Sequence, residues 1–303
     1  MQRIVECVPN FSEGRDVAIV SRIAGAIKVD ASVCVLDTHI DTDHNRSVIT
    51  FVGTPENIVA AAVRAVTKAT ELIDMRSHRG EHPRLGATDV LPFVPVRGVT
   101  LEDCVMLAHA AGKRIASELG IPVYFYESAA LSPVRVNLED VRRGALELLR
   151  EQISTRPERM PDEGLSQTHE TAGAIAIGAR PFLIAFNVVL RSHDVSIAQG
   201  IAKAIRARNG GPPFLKALGF ELHSRGVVQV SMNLINYEVT GMDVAYAAVK
   251  REAEKLGVEI ESAEIVGLVP QKALDREAEY FGKLKNFSEE KILENRIKAC
   301  PGF

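Results

Sequence analysis

Two histidines and their charged neighbours make up the part of the sequence best suited to chemistry. The segment from His78 to Asp89 contains two imidazoles, two carboxylates and two guanidiniums, together with two glycines and a proline. A histidine exchanges a proton near neutral pH, and an arginine can bind a carboxylate through two parallel hydrogen bonds. The segment therefore predicts acid–base chemistry on a small anionic molecule, with His82 and Arg84 as the leading candidates.

The same two histidines raise the alternative of a metal site. His78 and His82 are four residues apart, a spacing that places two ligands on one face of a helix. Pro83 disfavours helical backbone at the residue before it, and Gly80 weakens a helix further. No metal is therefore expected. The alternative is a metal-dependent amidohydrolase with four histidine ligands: His39, His44, His78 and His82.

Two other polar segments adjoin predicted strands. The loop from His39 to Arg46 contains Asp41, and Asp37 precedes it. A carboxylate at such a strand end can orient an imidazole, although a solvated loop is the competing interpretation. The segment that begins at Asn10 leads into a predicted helix start, where unpaired backbone N–H groups favour an anion and where simple capping is the alternative.

The elements that hold these segments follow from apolar periodicity and from cap and turn residues. Helices are predicted at 16–28, 55–73, 101–119, 138–151, 196–206, 242–256 and 272–298. Strands are predicted at 4–7, 33–37, 47–52, 89–96, 122–126, 181–190, 219–223, 227–235 and 261–269. Pro92 and Pro95 favour an edge position or a bulge for the strand that contains them.

Both halves of the chain alternate between helices and paired strands. This pattern predicts the α/β (α+β) fold class, with two similar subdomains of ferredoxin-like split-βαβ character. Each is expected to be a mostly antiparallel sheet with helices on one face. A chain of 303 residues favours two domains, which are expected at 1–178 and 179–303. Residues 154–173 are polar and without apolar period, as is typical of a functional loop or a linker.

Composition narrows the range of partners. A net charge of −3 disfavours nucleic acid, and no apolar stretch approaches the length of a membrane span. Glu6 lies where a signal peptide needs its apolar core, so a cytoplasmic location is expected. The four cysteines are widely spaced and are expected to be reduced thiols, with Cys300 exposed.

Eight motifs, in order along almost the whole chain, resemble glutamate formimidoyltransferase. They are Val-Pro-Asn-Phe-Ser-Glu-Gly-Arg at 8–15, Asn-Arg at 45–46, Phe-Val-Gly at 51–53, Gly-Glu-His-Pro-Arg at 80–84, Pro-Phe-Val-Pro-Val-Arg-Gly at 92–98, Pro-Val-Tyr-Phe-Tyr at 122–126, Gly-Ala-Arg-Pro-Phe-Leu-Ile-Ala-Phe-Asn at 178–187 and Val-Gly-Leu-Val-Pro at 266–270. The resemblance is to the transferase alone. A cyclodeaminase, which follows the transferase in bifunctional members of the family, is not expected.

The resemblance implies a homodimer of two-subdomain chains with a folate cleft between the subdomains, tetrahydrofolate as co-substrate and His82 as the catalytic histidine. It places a carboxylate near position 39 as a helper, but this chain has His39 there, so Asp37 or Asp41 is expected to serve. The folate-contacting segment that it implies consists of Gly164, Leu165, Ser166, Gln167, Thr168, His169, Glu170, Thr171, Ala172 and Gly173.

The implied reaction moves a formimino group from N-formimino-L-glutamate, a product of histidine degradation, to N5 of tetrahydrofolate. His82 is expected to take the proton of the attacking nitrogen and to return it to the departing glutamate nitrogen. The carboxylates expected near the amidine are Asp37, Asp41 or Glu81, and the residues expected to bind the donor are Arg46, Arg84 and Asn10. The alternatives are a formyl donor and a folate-binding protein without activity.

Overall fold

The computed structural model describes residues 2–29, 31–80, 82–274, 279–285 and 287–303. The chain divides into two compact units, Met1–Arg180 with Cys300–Phe303 and Pro181–Ala299. Each unit has one β-sheet and its own apolar core. The predicted α/β fold class with two subdomains is confirmed.

The first unit contains a mixed sheet of seven strands. These are β1 (Ile4–Cys7), β2 (Asn10–Phe11), β3 (Val33–Asp41), β4 (Arg46–Gly53), β5 (Thr88–Arg97), β6 (Val123–Glu127) and β7 (Ile175–Ala179). Across the sheet, β3 pairs with β4, and β1 and β2 lie one after the other between β4 and β5. These pairings are antiparallel, whereas β7 pairs in parallel with both β5 and β6.

Helices cover both faces of this sheet, because its strands carry apolar side chains alternately on each side. The helices are α1 (Val17–Ile27), α2 (Pro55–Leu72), α3 (Leu101–Leu119), α4 (Leu138–Val141) and α5 (Ala145–Gln152). Leu91 and Phe93 of β5 pack in the core formed with α1, α2 and α3. Val90, on the other face, packs with Val141 and Leu149 of α4 and α5. The face covered by α4 and α5 was not predicted from the sequence.

The second unit repeats the order of helices and strands that runs from β1 to β5 in the first unit. It contains β8 (Ile184–Leu190), α6 (Val195–Ile205), β9 (Leu215–Leu222), β10 (Val227–Leu234), α7 (Met242–Lys255) and β11 (Ile260–Val266). The antiparallel strands lie in the order β11–β8–β10–β9. In the first unit, β5, β1, β4 and β3 follow the same spatial order of fourth, first, third and second strand. This shared βαββαβ arrangement confirms the predicted ferredoxin-like character.

Three predicted elements differ from the structure. The helix predicted at 138–151 is broken, because Gly144 and Ala145 have positive φ angles of 77° and 53°. β5 lies inside the sheet, so the predicted edge position is wrong, but a register shift against β1 next to Pro95 agrees with the predicted bulge. The carbonyl of Pro92 accepts from the N–H of Val8, at the junction of β1 and β2. The last helix, predicted at 272–298, is replaced by short 3₁₀ turns and α8 (Leu293–Lys298), and residues 275–278 and 286 of that range lie outside the described residues.

The prediction of four reduced cysteines is wrong for two of them. Cys34 on β3 and Cys300 form a disulfide with a Cα–Cα distance of 6.2 Å, and Cys300 is buried. Cys7 and Cys104 are buried free thiols. Because Cys34 and Cys300 are 266 residues apart, no local pattern in the sequence indicated the disulfide.

Among the helices described, none is both long enough and apolar enough to cross a bilayer.

Glu6 is a carboxylic acid buried in the middle of this sheet. It lies on β1 opposite Val52 of β4 and Val94 of β5, and its Oε2 atom has no hydrogen-bond partner in the described part of the chain. Burial raises the pKa of Glu6 to about 7, although the positive charge of Arg180 acts in the opposite direction. The folded chain therefore holds this proton more tightly than the unfolded chain does.

We expect Glu6→Gln to stabilise the protein at high pH. Between the ordinary carboxyl pKa of 4.5 and about 7, the unfolded chain loses the Glu6 proton while the folded chain keeps it, so wild-type stability falls as pH rises. The variant lacks this loss, which amounts to about 3 kcal/mol at pH 8. Urea unfolding at pH 4.5 and pH 8 measures it, with Glu71→Gln on the surface as control. An equal effect of Glu6→Gln at both pH values would contradict the assignment.

Candidate active site

His82 lies against the first residue of β4. Nη1 of Arg46 is 2.9 Å from Nδ1 of His82, and the same ring nitrogen is 2.7 Å from the carbonyl oxygen of Pro83. A ring nitrogen either donates or accepts, so only one of these two contacts is a hydrogen bond in a given tautomer. With a proton on Nδ1 donated to the carbonyl of Pro83, the Arg46 guanidinium is a close charged neighbour of the ring, and Nε2 is the ring nitrogen that can act as a base.

Asp89 joins the histidine segment to two arginines. Its Oδ2 atom accepts a hydrogen bond of 2.7 Å from Nη1 of Arg46 and a second from Nη2 of Arg142. Its Oδ1 atom accepts from Nε of Arg142 at 3.2 Å and from the backbone N–H of Leu85 at 2.9 Å. Because the carboxylate is fully buried, these donors replace the water that it loses on folding.

Asn10 holds the other side of Arg46. Its Oδ1 atom accepts from Nε of Arg46 at 3.1 Å and from Nη2 at 2.8 Å, while its amide nitrogen donates to the carbonyl of Val8 at 2.9 Å. All three nitrogens of the Arg46 guanidinium therefore have partners. Asn10 on β2 pairs with Val48 of β4, so the sheet register itself brings Asn10 and Arg46 together.

The electrostatics of this cluster favour a neutral imidazole and an ionised carboxylate. Burial and then the positive charges of Arg46 and Arg142 hold the pKa of His82 well below its ordinary value. Burial opposes ionisation of Asp89, but the two arginines outweigh it and lower its pKa to about 2. Burial lowers the pKa of Arg46 to about 10, so it stays charged. At neutral pH His82 is therefore an uncharged imidazole, the form that can act as a base.

The loop before His82 is fixed by its contacts with residues 44 and 45. Nε2 of His78 lies 3.1 Å from the carbonyl of Asn45, whose amide nitrogen donates to the carbonyl of Arg79 at 2.8 Å. A Cβ atom at Gly80 would be 2.5 Å from the carbonyl oxygen of His44, so only glycine fits this approach. His78 is a supporting residue here. Glu81, which the sequence offered as a carboxylate, lies outside the described residues.

The predicted carboxylates lie on the same face of the sheet as Arg46. β3 extends through Asp41, so the predicted loop from His39 to Arg46 is shorter than expected. Asp41 pairs with Arg46 across the sheet, and Asp37 pairs with Thr50, about 13 Å along the strand. Residues paired in this way point to one side, but neither carboxylate hydrogen-bonds to His82 within the described part of the chain.

His44 lies between Asp41 and His82. The backbone N–H of His44 donates to Oδ1 of Asp41 at 2.9 Å, and Nε2 of His44 is 3.9 Å from Oδ2. The ring of His44 stands perpendicular to that of His82, with 6.1 Å between the ring centroids. His44 therefore links Asp41 to the surroundings of His82, whereas Asp37 has a buried Oδ2 atom for which no described residue is a partner.

Arg84 forms an ion pair that the sequence did not indicate. Its two Nη atoms donate to both carboxylate oxygens of Glu147 at 2.8 and 2.7 Å, and its Nε donates to Nδ1 of His78 at 3.3 Å. Glu147 lies on α5 and lowers the conformational freedom of the arginine. To bind a substrate carboxylate, Arg84 would have to exchange Glu147 for it.

The segment 164–173 lies next to the continuation of the histidine segment. The N–H of Ala87 donates to the carbonyl of Ala172 at 2.9 Å, and the N–H of Ala174 donates to the carbonyl of Leu85 at 2.9 Å. His169 and Gly173 close a small loop through mutual backbone hydrogen bonds. The other end of the segment, at 164–167, is exposed, and the Leu165 side chain is 75% exposed.

Two of the four histidines of the alternative metal site have surroundings that disfavour a cation. Both ring nitrogens of His78 are engaged, by Asn45 and by Arg84, and Nδ1 of His82 lies against a guanidinium, which repels a cation. Among the residues that the structure describes, no three histidine, cysteine, aspartate or glutamate side chains are grouped as metal ligands.

Two members of the site were not predicted from the sequence. Asp89 is the last residue of the 78–89 segment, but its position in the sequence did not indicate that it binds two guanidiniums. Arg142 is 53 residues further along the chain and lies inside a stretch that reads as one helix. The polar surroundings of His82 and Arg46 were predicted, whereas the residue that connects them was not.

Comparison with known proteins decides the family. Residues 4–180 match the family model described as "Formiminotransferase domain, N-terminal subdomain", and residues 185–299 match "Formiminotransferase domain". The chain belongs to the formiminotransferase family. Together the two matches cover almost all of both compact units, and the resemblance stated from the sequence motifs is confirmed.

Relatives of similar length carry the same activity in their names. A "Glutamate formimidoyltransferase" of Thermoplasma acidophilum is 48% identical, over 98% of this chain and 98% of that protein. Another of Streptococcus pyogenes serotype M1 is 44% identical, over 98% of this chain and 99% of that protein. A rat "Formimidoyltransferase-cyclodeaminase" is 44% identical over 98% of this chain but 56% of that protein. This formiminotransferase is therefore an enzyme of the transferase class.

Proposed function

We propose that the enzyme transfers the formimino group of N-formimino-L-glutamate to N5 of tetrahydrofolate, giving 5-formimidoyltetrahydrofolate and L-glutamate. The observation that carries the proposal is the position of the His82 imidazole, whose Nδ1 lies 2.9 Å from Nη1 of Arg46 in the buried Arg46–Asp89 pair. Names of relatives at 44–48% identity support formimino transfer. The folate acceptor and the roles of individual residues are part of the proposal.

The reaction requires one proton to move twice. N5 of tetrahydrofolate attacks the amidine carbon of the donor and forms a new C–N bond in a tetrahedral intermediate. Nε2 of His82 accepts the proton that N5 loses, and it then donates this proton to the glutamate nitrogen as the old C–N bond breaks. Asp41 is proposed to stabilise the protonated amidine, whereas Asp37 lies about 13 Å further along the strand and is too distant to share this role. Holding both substrates together supplies much of the remaining acceleration.

A spectrophotometric assay tests this function directly. Wild-type enzyme is supplied with tetrahydrofolate and N-formimino-L-glutamate, and the formation of the folate product is followed, with N-formyl-L-glutamate as the competing donor. Product from the formimino donor and little from the formyl donor is expected. Preference for the formyl donor would replace the proposed donor, and turnover of neither would overturn the function.

The segment 164–173 is proposed to contact the folate. Leu165→Ser is expected to raise the KM for tetrahydrofolate about tenfold, because burial of a leucine side chain by a ligand contributes roughly 1.5–3 kcal/mol. The melting temperature should not change, since the side chain is 75% exposed. Leu256→Ser, at an exposed leucine that caps the C-terminal end of α7, is the matched control. An unchanged KM for tetrahydrofolate would remove Leu165 from the folate site.

We also propose a cytoplasmic homodimer, with formiminotransferase subdomains at 1–178 and 179–303. Light scattering coupled to size-exclusion chromatography tests the oligomeric state. A mass near 33 kDa, that of one chain, would contradict the dimer.

A further inference from the structure

Arg142 occupies its place because the predicted helix 138–151 is interrupted. α4 ends at Val141, Arg142 forms its C-cap, and Gly144 then turns the chain with a left-handed backbone before α5 begins. This break places the guanidinium against Asp89 rather than on the exposed side of a continuous helix.

The guanidinium of Arg142 has hydrogen-bond donors to spare. Its Nε and Nη2 atoms donate to Asp89, but within the described ranges no residue accepts from its two Nη1 hydrogens. By contrast, all three nitrogens of Arg46 have partners, and so do all three of Arg84. The Arg142 side chain retains 13% exposure, so a ligand can approach it.

The charges around Asp89 do not cancel. One carboxylate lies between two guanidiniums and next to a neutral imidazole, so the cluster of Arg46, Asp89, Arg142 and His82 carries one net positive charge. An uncompensated charge with little solvent around it is costly. A bound anion would remove that cost, and a planar guanidinium with unused N–H groups matches a carboxylate.

We propose that Arg142 binds one carboxylate of the formimino donor, either its α-carboxylate or its side-chain carboxylate. The enzyme's preference for a donor that carries this carboxylate then depends on Arg142. The proposal rests on the proposed function and extends it to the choice of donor. Arg46 then serves as a positioning residue for His82. The bound carboxylate also neutralises the positive charge beside His82, so the imidazole becomes a stronger base once the donor has bound.

The experiment measures which substrate loses affinity when the guanidinium is removed. We expect Arg142→Gln to raise the KM for N-formimino-L-glutamate about 10- to 100-fold, as for the loss of a charge-assisted hydrogen bond, with the KM for tetrahydrofolate within twofold of wild type. Arg142→Lys keeps the charge toward Asp89 but loses the planar fork, so an intermediate rise is expected. Arg143→Gln, at a neighbouring arginine that is 75% exposed, is the matched control.

Donors with one amidated carboxylate identify the group that is bound. N-formimino-glutamine lacks the side-chain carboxylate, and N-formimino-isoglutamine lacks the α-carboxylate. Wild type should bind at least one of them more weakly than N-formimino-L-glutamate. In Arg142→Gln, the difference should vanish for the donor that lacks the carboxylate bound by Arg142. If every such difference persists, or if the KM for tetrahydrofolate rises instead, Arg142 does not bind the donor and the proposal is overturned. If Arg142→Gln fails to fold, Arg142→Lys decides by the same comparison.

Binding of L-glutamate alone distinguishes a failure of the carboxylate site from a failure of the proposed transfer reaction. Calorimetric titration of wild type and Arg142→Gln with L-glutamate needs no turnover. A wild type that binds glutamate but does not transfer the formimino group would contradict the function and leave the carboxylate site standing. Equal glutamate affinity in both proteins would overturn the carboxylate site, whatever the turnover.

Discussion

Replacing His82 with alanine is expected to lower kcat by about 10²–10⁴ while the fold remains intact, as is typical for the loss of a general acid–base group. The ring is half-buried in a loop, and it lies against Arg46, the Pro83 carbonyl and the ring of His44. Its removal should therefore affect the reaction far more than the free energy of unfolding. His223→Ala, at an exposed histidine of the second unit, should retain wild-type activity.

The pH profile provides a second readout of the same histidine. His82 acts first as a base, so kcat/KM should fall only when the ring is protonated in the free enzyme. Burial and the charges of Arg46 and Arg142 hold its pKa well below the ordinary value of 6.5, so the acid limb should lie below pH 6.5. Removing one of these cations with Arg46→Met should move that limb to higher pH. A kcat of His82→Ala within threefold of wild type would contradict the assignment.

The fold was predictable where local signals agree with the tertiary structure. The helix starts at Asp16 and Thr100 carry side-chain caps, and Gly120 ends α3 in a left-handed conformation, as their sequence positions indicate. The failures are non-local. β7 is a strand of only five residues whose partners, β5 and β6, are far away in sequence. The Cys34–Cys300 disulfide likewise depends on a contact that no spacing reveals.

The types of residue in the site were predictable from the sequence, but the pairs that these residues form were not. Imidazole, guanidinium and amide groups near His82, Arg46 and Asn10 were all indicated by the motifs, and sheet register brings them together. Which carboxylate accompanies His82 could not be read from the sequence. The buried partner of Arg46 is Asp89 rather than one of the β3 carboxylates, because Asp89 lies at the start of β5, which follows the histidine loop directly.

Replacing Asp89 with asparagine should destabilise the protein by about 3–5 kcal/mol, as for the loss of one partner from a buried ion pair. The carboxylate is fully buried and accepts from Arg46, Arg142 and the backbone of Leu85. Without its charge, two guanidiniums face each other across a neutral amide. Activity should fall as well, because Arg46 is no longer held where it orients His82. Urea unfolding at pH 7 gives the change in free energy.

The pH dependence of that loss distinguishes a missing charge from a packing defect. The pKa of Asp89 falls from 3.8 to about 2 on folding, so its ionic contribution is complete above pH 3.8 and disappears as pH falls toward 2. The gap between wild type and Asp89→Asn should therefore be constant from pH 8 to pH 5 and should narrow below pH 4. Asp140→Asn, which removes an ion pair near the surface with Arg143, should cost less than about 1 kcal/mol. A gap that is unchanged at pH 3 would mean that Asp89 stabilises the fold by shape alone, and the site would then need another anion to hold its two arginines together.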